Sequence, residues 1–194
     1  MPLYTSEYLK QLSRNTLSSV KNKLFSESRT HVIAFDIFLS HSFLDKEEVE
    51  GIYIELTNKG YSVYVDWIVD PHLDRSNVTR ATAELIRKRM KSSKSLLFAI
   101  SDKAEISKWI PWELGFVDGN TNQCSIFPVS KDKVAPKTFK RSEYLLLYPY
   151  VKMAEIDSKK EILITESGNQ YSGLGDWVRR QAKPNYKIKN IDLL

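Results

Sequence analysis

Short apolar runs alternate with amphipathic stretches along this chain, and polar residues bound each run. Runs of this length indicate β-strands, because helices show a longer pattern with a period near 3.6 residues. Several runs are apolar almost throughout, which is typical of strands buried on both faces of a parallel sheet. The predicted strands are residues 32–40, 61–66, 95–101, 124–129 and a short fifth strand at 144–148.

The stretches between these strands carry the spacing and the end signals of helices. Asp45 is a candidate N-cap, and Gly60 is placed to end the helix that follows it. A second helix is predicted over 78–91, and a third after Ser107, with Pro111 in its first turn. Strands that alternate with helices predict an α/β fold with a parallel sheet and right-handed crossovers.

The two ends of the chain carry weaker patterns. Apolar residues recur at helical spacing near the N-terminus, which predicts one or two amphipathic helices. Near the C-terminus we expect an extra strand at 161–165 and a helix capped by Asp176. The predicted division is a helical N-terminal extension (1–30), a central α/β domain (31–150) and a C-terminal extension packed on that domain (151–194).

Composition and charge narrow the class of protein. Hydrophobic residues make up 42% and charged residues 27% of the chain, as in an ordinary globular protein. The net charge of +5 comes from scattered Lys and Arg, so we expect no nucleic-acid partner. The single cysteine, Cys124, excludes an intrachain disulfide. No apolar run reaches 18 residues and no signal peptide is evident, so we expect a cytoplasmic protein without a membrane contact.

Several enzyme classes lack their motifs in this sequence. It has no Gly-rich phosphate loop, no dinucleotide fingerprint after a strand and no nucleophile elbow. The three histidines are not spaced as metal ligands, so we expect no metal site. Cys124 lies in an apolar strand, where a thiol is inert.

Candidate site residues follow the predicted strands. In open parallel sheets, ligands bind beyond the carboxyl ends of the strands. The long connection 67–77 starts there, and a loop of that length is usually functional. Ser40 and Ser42 either line a pocket or cap the next helix, and His41 is a ligand contact or a loop residue. The candidate pocket residues are Ser40, His41, Ser42, Phe43, Asp45, Asp66, Trp67 and Trp109.

Glu113 is the candidate catalytic residue. It follows Trp109 by four positions, so the two share one helix face. A lone carboxylate beside an aromatic ring suits cleavage of a ribose–pyridinium bond, because the leaving group departs neutral and needs no general acid. The alternatives are a solvated Glu113, or one paired with Lys108 or Arg87, and a Trp109 that packs in the core. Asp36, inside a strand, is expected to pair with backbone or a base.

Three segments resemble the conserved boxes of Toll/interleukin-1 receptor (TIR) domains, and the chain is most similar to bacterial members. The segments are 35–42, 60–66 and 109–115, in the expected order. The resemblance implies a flavodoxin-like three-layer sandwich with a five-stranded parallel sheet in the order 2-1-3-4-5. It also implies NAD+ cleavage without a prosthetic group, with Glu113 as the catalytic residue of a WxxxE-like motif.

This family suggests a role as well as a reaction. Some bacterial members, including those of the Thoeris antiphage system, make cyclic ADP-ribose isomers that activate a separate effector. The resemblance therefore implies an NAD+ nucleosidase of antiphage immunity that gives nicotinamide and ADP-ribose or a cyclic isomer. It further implies TIR–TIR self-association on activation. The alternatives are a non-catalytic TIR adaptor, which signals by assembly, and a receptor that holds a nucleotide without turnover.

Overall fold

A computed structural model describes residues 2–30, 34–42, 44–73, 79–101, 110–134, 136, 145, 147–156, 159–165, 170–179 and 186–187. Its helices are α1 (Ser6–Asn15), α2 (Ser18–Thr30), α3 (Lys46–Asn58), α4 (Asp66–Val69), α5 (Arg80–Lys91), α6 (Ile110–Thr121) and α7 (Leu174–Val178). Its strands are β1 (Tyr4–Thr5), β2 (Phe35–Ser42), β3 (Val63–Tyr64), β4 (Ser93–Ser101), β5 (Cys124–Ser130), β6 (Tyr150–Ile156), β7 (Lys159–Thr165), β8 (Gln170–Gly173) and β9 (Tyr186–Lys187).

One sheet organises the described part of the chain. It contains nine strands there, in the order β3-β2-β4-β5-β6-β7-β8-β9, and β1 pairs with β5. Strands β3, β2, β4, β5 and β6 are parallel neighbours, which confirms the predicted α/β class and the order 2-1-3-4-5. Strands β7, β8 and β9 extend this sheet in antiparallel fashion, so the sheet is larger than the predicted five strands.

Helices cover both faces of the sheet. On one face, the Cys124 thiol of β5 contacts the Leu114 carbonyl of α6. Side chains alternate along a strand, so Phe127 of the same strand points to the other face. There it packs against the ring of Tyr4, with 4.8 Å between centroids, and the Tyr4 hydroxyl bonds Glu55 of α3. The central strands are therefore buried on both faces, as their apolar sequences predicted.

Asp36 pairs as predicted, with both backbone and a base. Its carboxylate accepts hydrogen bonds from the backbone N–H and the hydroxyl of Ser62, at 3.0 and 2.9 Å, and from Lys94 Nζ at 2.7 Å. Burial by itself raises the pKa of Asp36, but the bonds from Lys94 and Ser62 outweigh it and hold the pKa below 3.8. This half-buried charge thus ties the start of β2 to the segments on either side of it.

The predicted second strand is shorter than expected. Strand β3 covers only Val63–Tyr64, and Asp66 begins the one-turn helix α4 where a loop was predicted. The Asp66 carboxylate accepts the Trp67 N–H at 2.8 Å, and Asp70, which follows α4, pairs with Arg89 at 2.7 Å. These side-chain bonds favour a helical turn over extended chain. Residues 74–77 of the predicted loop and residue 78 of the predicted helix lie outside the described residues.

The predicted fifth strand, 144–148, is wrong at its described residues, which are 145, 147 and 148. Residues 144 and 146 lie outside the described part of the chain. Leu145 and Leu147 lie in turn structure, and Leu147 is 78% exposed, while the fifth parallel strand is Tyr150–Ile156. Lys152 interrupts the apolar pattern of Tyr150–Ile156 in the sequence. This lysine is nevertheless buried, with its ammonium 5.3 Å from the centre of the Tyr150 ring. A lysine stem that packs on aromatic rings reads as polar in sequence although it is inside.

The C-terminal region confirms one expectation and corrects another. The strand predicted at 161–165 forms as β7, paired with β6. The helix predicted to start at Asp176 begins instead at Leu174, with Gly173 at the N-cap, so Asp176 lies in its first turn. The three-part division of the chain stays a prediction. No helix in the described ranges is long and apolar enough to cross a membrane.

Two helices form at the N-terminus, as predicted, and α1 crosses α3 at very short range. A Cβ atom at Gly51 would lie only 2.2 Å from the Leu9 carbonyl oxygen. Real Cβ atoms essentially never approach backbone oxygen so closely. Glycine at position 51 is therefore what lets the two helix backbones touch.

Ion pairs and hydrogen bonds also hold the N-terminal helices against α3. Arg14 forms two hydrogen bonds with the Glu47 carboxylate, at 2.7 and 3.1 Å. Glu50 accepts bonds from Lys21 of α2 at 2.9 Å and from the Ser13 hydroxyl at 2.7 Å. The acidic side of α3 is thus covered by basic and hydroxyl groups of the N-terminal helices.

We expect Gly51→Ala to destabilise the chain by about 1–3 kcal/mol, because the added methyl group forces α1 away from α3. Urea unfolding measures the change. Gly119→Ala is the matched control, since a Cβ at this helical position meets nothing within 4 Å. The control should be neutral or stabilising by up to about 1 kcal/mol, from helix propensity alone. Equal behaviour of the two variants would contradict the close crossing.

We expect Asp36→Asn to lower stability at pH 7 by about 1 kcal/mol, because an exposed lysine is one of its partners. The pKa of Asp36 is lowered in the folded state, so its stabilisation is complete above the unfolded value of 3.8. That stabilisation is lost as the pH falls through the folded-state pKa. Unfolding curves of both proteins should therefore converge in acid, and a pH-independent difference is inconsistent with the pairing.

Candidate functional site

Glu113 lies in the first turn of α6 with its side chain completely buried. Its residue exposure is 0%, and its Oε2 accepts a hydrogen bond from the Ser40 hydroxyl at 2.5 Å. The helix holds it there because Ile110, Leu114 and Val117 of α6 are buried too. Pro111 fits the first turn, where its missing N–H costs little. A carboxylate in a first turn also lies at the favourable end of the helix dipole.

The burial of Glu113 excludes one of the readings that its sequence left open. A solvated helix residue is wrong, because no part of Glu113 is exposed. Arg87, a suggested ion partner, has its guanidinium carbon 5.8 Å from the centre of the Trp112 ring. Lys108, the other suggested partner, lies outside the described residues.

The side chains of Ser40 and Ser42 in strand β2 lie on one face of the sheet, and that of His41 lies on the other. Ser40 and Ser42 are buried, and strand alternation puts both on the side of α6. Ser40 bonds a helix 73 residues away in sequence, so it does more than cap the next helix. His41 Nε2 lies 3.6 Å from Asp66 Oδ1, which is longer than a hydrogen bond but close enough for charge interaction when the ring is protonated.

Trp67 is held between two neighbours at the carboxyl end of β3. The Lys46 ammonium lies over its ring, 5.1 Å from the centroid. Phe25 of α2 meets it edge-to-face, at 6.1 Å and 88°. The half-buried ring is thus shared by the N-terminal helix and the start of α3.

Asp45 caps α3 as predicted, with β-region backbone at the N-cap position. Its backbone N–H donates to Glu48 Oε2 at 2.7 Å, and Glu48 Oε1 in turn accepts Lys131 Nζ at 2.5 Å. The Asp45 carboxylate is exposed and accepts a bond from Lys10 Nζ at 2.5 Å, which holds the pKa of Asp45 below its usual value. Both helix α1 and the end of β5 therefore fix the segment that follows Ser42.

The structure brings four of the predicted residues together as two separate pairs, one on each face of β2. Ser40 meets Glu113, and His41 faces Asp66, at adjacent positions of β2. Phe43 and Trp109 lie outside the described residues. Sequence reasoning missed Phe25 and Lys46, the neighbours of Trp67. Lys46 directly follows the N-cap and so was locatable at the sheet edge, whereas the contact of Phe25 depends on how α2 packs.

Other chemistry has little support within the described residues. No group of three or more His, Cys, Asp or Glu is placed to hold a metal ion there. Burial raises the pKa of the Cys124 thiol well above its usual range, so the thiolate that reacts or binds metal is disfavoured. The arrangement instead offers one buried, hydrogen-bonded carboxylate at the carboxyl edge of a parallel sheet.

Comparisons with known proteins agree with this architecture. A family model described as TIR domain matches residues 37–161. The chain is 46% identical over 148 residues to the Bacillus cereus protein named "Probable 3' cyclic ADP-D-ribose synthase ThsB'", covering 75% of this chain and 76% of the relative. It is 31% identical over 83 residues to the Cytobacillus dafuensis protein named "Putative cyclic ADP-D-ribose synthase TIR2", covering 42% of this chain and 22% of the relative.

We expect Ser40→Ala to lower the free energy of unfolding by about 1–3 kcal/mol, because the buried carboxylate loses a donor. A double-mutant cycle with Glu113→Gln isolates the pair from other effects. The cost of Ser40→Ala should shrink in the Glu113→Gln background, where the acceptor is no longer charged. Additive effects of the two substitutions argue against a strong bond between the side chains.

Proposed function

This chain belongs to the TIR domain family, and we propose that it cleaves the nicotinamide–ribose bond of NAD+ and closes the ADP-ribose part into a cyclic isomer. One observation carries the proposal: the Glu113 carboxylate is completely buried and hydrogen-bonded by Ser40 at the carboxyl edge of the sheet, where open parallel sheets generally bind ligands. Two relatives named as cyclic ADP-D-ribose synthases support the choice of substrate and product class.

The proposed chemistry needs a single carboxylate. The bond between the ribose C1′ and the pyridinium nitrogen breaks, and its electron pair goes to the nitrogen. Nicotinamide therefore leaves neutral, without a proton, and positive charge develops at C1′. A carboxylate beside C1′ stabilises this charge, and its effect is greater in a site shielded from water.

Glu113 is the proposed stabilising group, and Ser40 is its positioning partner. The Ser40 hydroxyl donates to Oε2, which fixes the orientation of the carboxylate before substrate arrives. Preorganised charge does not have to reorient during the reaction, and this is the main source of its catalytic value. Neighbouring His41, with Asp66, and Trp67 border the same edge and are proposed to contact the substrate.

The nucleophile that attacks the C1′ cation decides which of two products forms. Attack by water gives ADP-ribose, and attack by a hydroxyl or a base nitrogen of the same molecule gives a cyclic product. In each case the attacking group releases one proton to solvent as the new bond to C1′ forms. A site that shields its carboxylate from solvent favours the intramolecular nucleophile, because competing water is kept away. The names of the relatives favour the same outcome.

The proposed biological role is production of a signal in bacterial antiphage defence. This role comes from the resemblance to bacterial TIR proteins, in which the cyclic product activates a separate effector. We further propose that the chain self-associates through its TIR domain on activation. No prosthetic group is needed, since NAD+ itself is the substrate.

Glu113→Gln should reduce nicotinamide release from NAD+ by at least about 10²-fold, because the neutral amide cannot stabilise the developing charge. Chromatography of the purified, bead-clustered chain with NAD+ measures the rate. Glu84→Gln on α5 is the control, since Glu84 is an exposed partner of Arg80 and should leave the rate unchanged. An equally active Glu113→Gln variant overturns the catalytic assignment. No nicotinamide from the clustered wild-type chain favours the adaptor function instead.

Running the same reaction in water enriched in a heavy oxygen isotope identifies the nucleophile that attacks C1′. A cyclic product is one water lighter than ADP-ribose and carries no oxygen from the solvent. ADP-ribose labelled with heavy oxygen as the sole product contradicts cyclisation while leaving NAD+ cleavage intact.

A further inference from the structure

We infer that helix α2 is a positioning part of the substrate pocket, acting through Phe25 and Arg29 on the one-turn helix α4. Helix α4 carries Asp66 and Trp67 at the carboxyl end of β3. The inference rests on the proposed function and assigns a role to the N-terminal extension in the same site. Helix α2 would then tune substrate affinity from outside the sheet.

Arg29 stabilises α4 from its C-terminal end. Its Nε donates to the Ile68 carbonyl oxygen at 2.6 Å. A one-turn helix leaves its last carbonyls without intrahelical partners, so it depends on outside donors. A guanidinium at that end also opposes the negative pole of the turn. Arg29 therefore supplies a bond that the short helix cannot make for itself.

Phe25 fixes the ring of Trp67. It meets Trp67 edge-to-face at 6.1 Å and Tyr53 of α3 in the same manner at 5.4 Å. The Lys46 ammonium lies over the Trp67 ring at 5.1 Å, so the ring orientation is set by contacts from two helices. Removing the Phe25 ring opens space beside Trp67 and frees it to turn.

Helix α2 itself is anchored to α3, and so it provides a firm base. Lys21 pairs with Glu50 at 2.9 Å, and the Tyr53 hydroxyl donates to the Leu24 carbonyl at 3.2 Å. The Ser28 and Tyr53 hydroxyls are also bonded to one another. These contacts involve neither Phe25 nor Arg29, so they still hold α2 on α3 when either residue is substituted, although Phe25→Ala also removes the edge contact with Tyr53.

Asp66 is the residue that connects helix α4 to the proposed substrate pocket. Its carboxylate faces His41 at 3.6 Å and caps the Trp67 N–H at 2.8 Å. His41 follows Ser40, whose hydroxyl bonds Glu113. The Ser40–Glu113 pair is built by β2 and α6, whereas Asp66 and Trp67 depend on α4. Loosening α4 should thus change how the substrate is held more than how the bond is broken.

Phe25→Ala and Arg29→Ala should each raise the KM for NAD+ about tenfold and leave kcat within about threefold of wild type. Lys23→Ala is the matched control, because Lys23 is an exposed cation of the same helix that pairs with Glu27 across one turn. Phe25→Tyr keeps the ring and should keep the wild-type KM. Thermal unfolding of every variant shows whether the folded fraction is unchanged at the assay temperature.

A second measurement works without catalysis. In fluorine NMR of the fluorotryptophan-labelled chain, the Trp67 signal is assigned by its loss in Trp67→Phe. Phe25→Ala and Arg29→Ala should shift or broaden this signal, and Lys23→Ala should not. If the wild-type chain releases no nicotinamide, the proposed function fails while this measurement still tests the α2–α4 contact.

The inference is overturned if both variants keep the KM of Lys23→Ala. It is equally overturned if kcat falls while KM stays constant, or if an unchanged Trp67 signal accompanies a raised KM. A loss of activity that only follows a loss of folded protein also overturns it, because a positioning role requires an intact fold.

Discussion

The hydrogen bond that the buried Glu113 carboxylate requires constrains this structure more than any other interaction. Glu113 has no exposed surface, and an unpaired charge in such a place would be very costly. Its hydrogen bond from Ser40 joins the carboxyl end of β2 to the first turn of α6. The bond forms only if β2, β4 and α6 are all in place, since α6 packs across these strands. The strands and α6 must therefore be assembled before Ser40 and Glu113 can pair.

The sequence predicted most of the parallel core, because its strands are buried on both faces and their apolar runs are unmistakable. Helix α3 was likewise predictable, since Asp45 and Gly60 mark its ends with local chemistry. The pairing of Glu113 with Ser40 was not, because nothing in a sequence couples positions so far apart. The catalytic role proposed for Glu113 rests on a family resemblance, whereas its burial is seen only in the structure.

The predictions that missed strand β6 and helix α4 failed for physical reasons as well. Strand β6 was missed because Lys152 is polar in sequence although it is buried, with its ammonium over the Tyr150 and Tyr171 rings. The apolar residues just before it predicted a strand, yet Leu147 faces solvent. Helix α4 was missed because one turn is too short to show periodicity. Its stability comes from Asp66 and from Arg29, and the latter contact joins distant segments.

The crossing of α1 over α3 has an evolutionary consequence. Where two helix backbones touch, only a residue without a side chain fits, and here that residue is Gly51. A related chain with a larger residue at this position cannot hold an N-terminal helix at the same distance. Position 51 therefore serves as a one-letter marker in sequence collections. It separates relatives that can hold α1 this close to α3 from those in which the two helices must lie further apart.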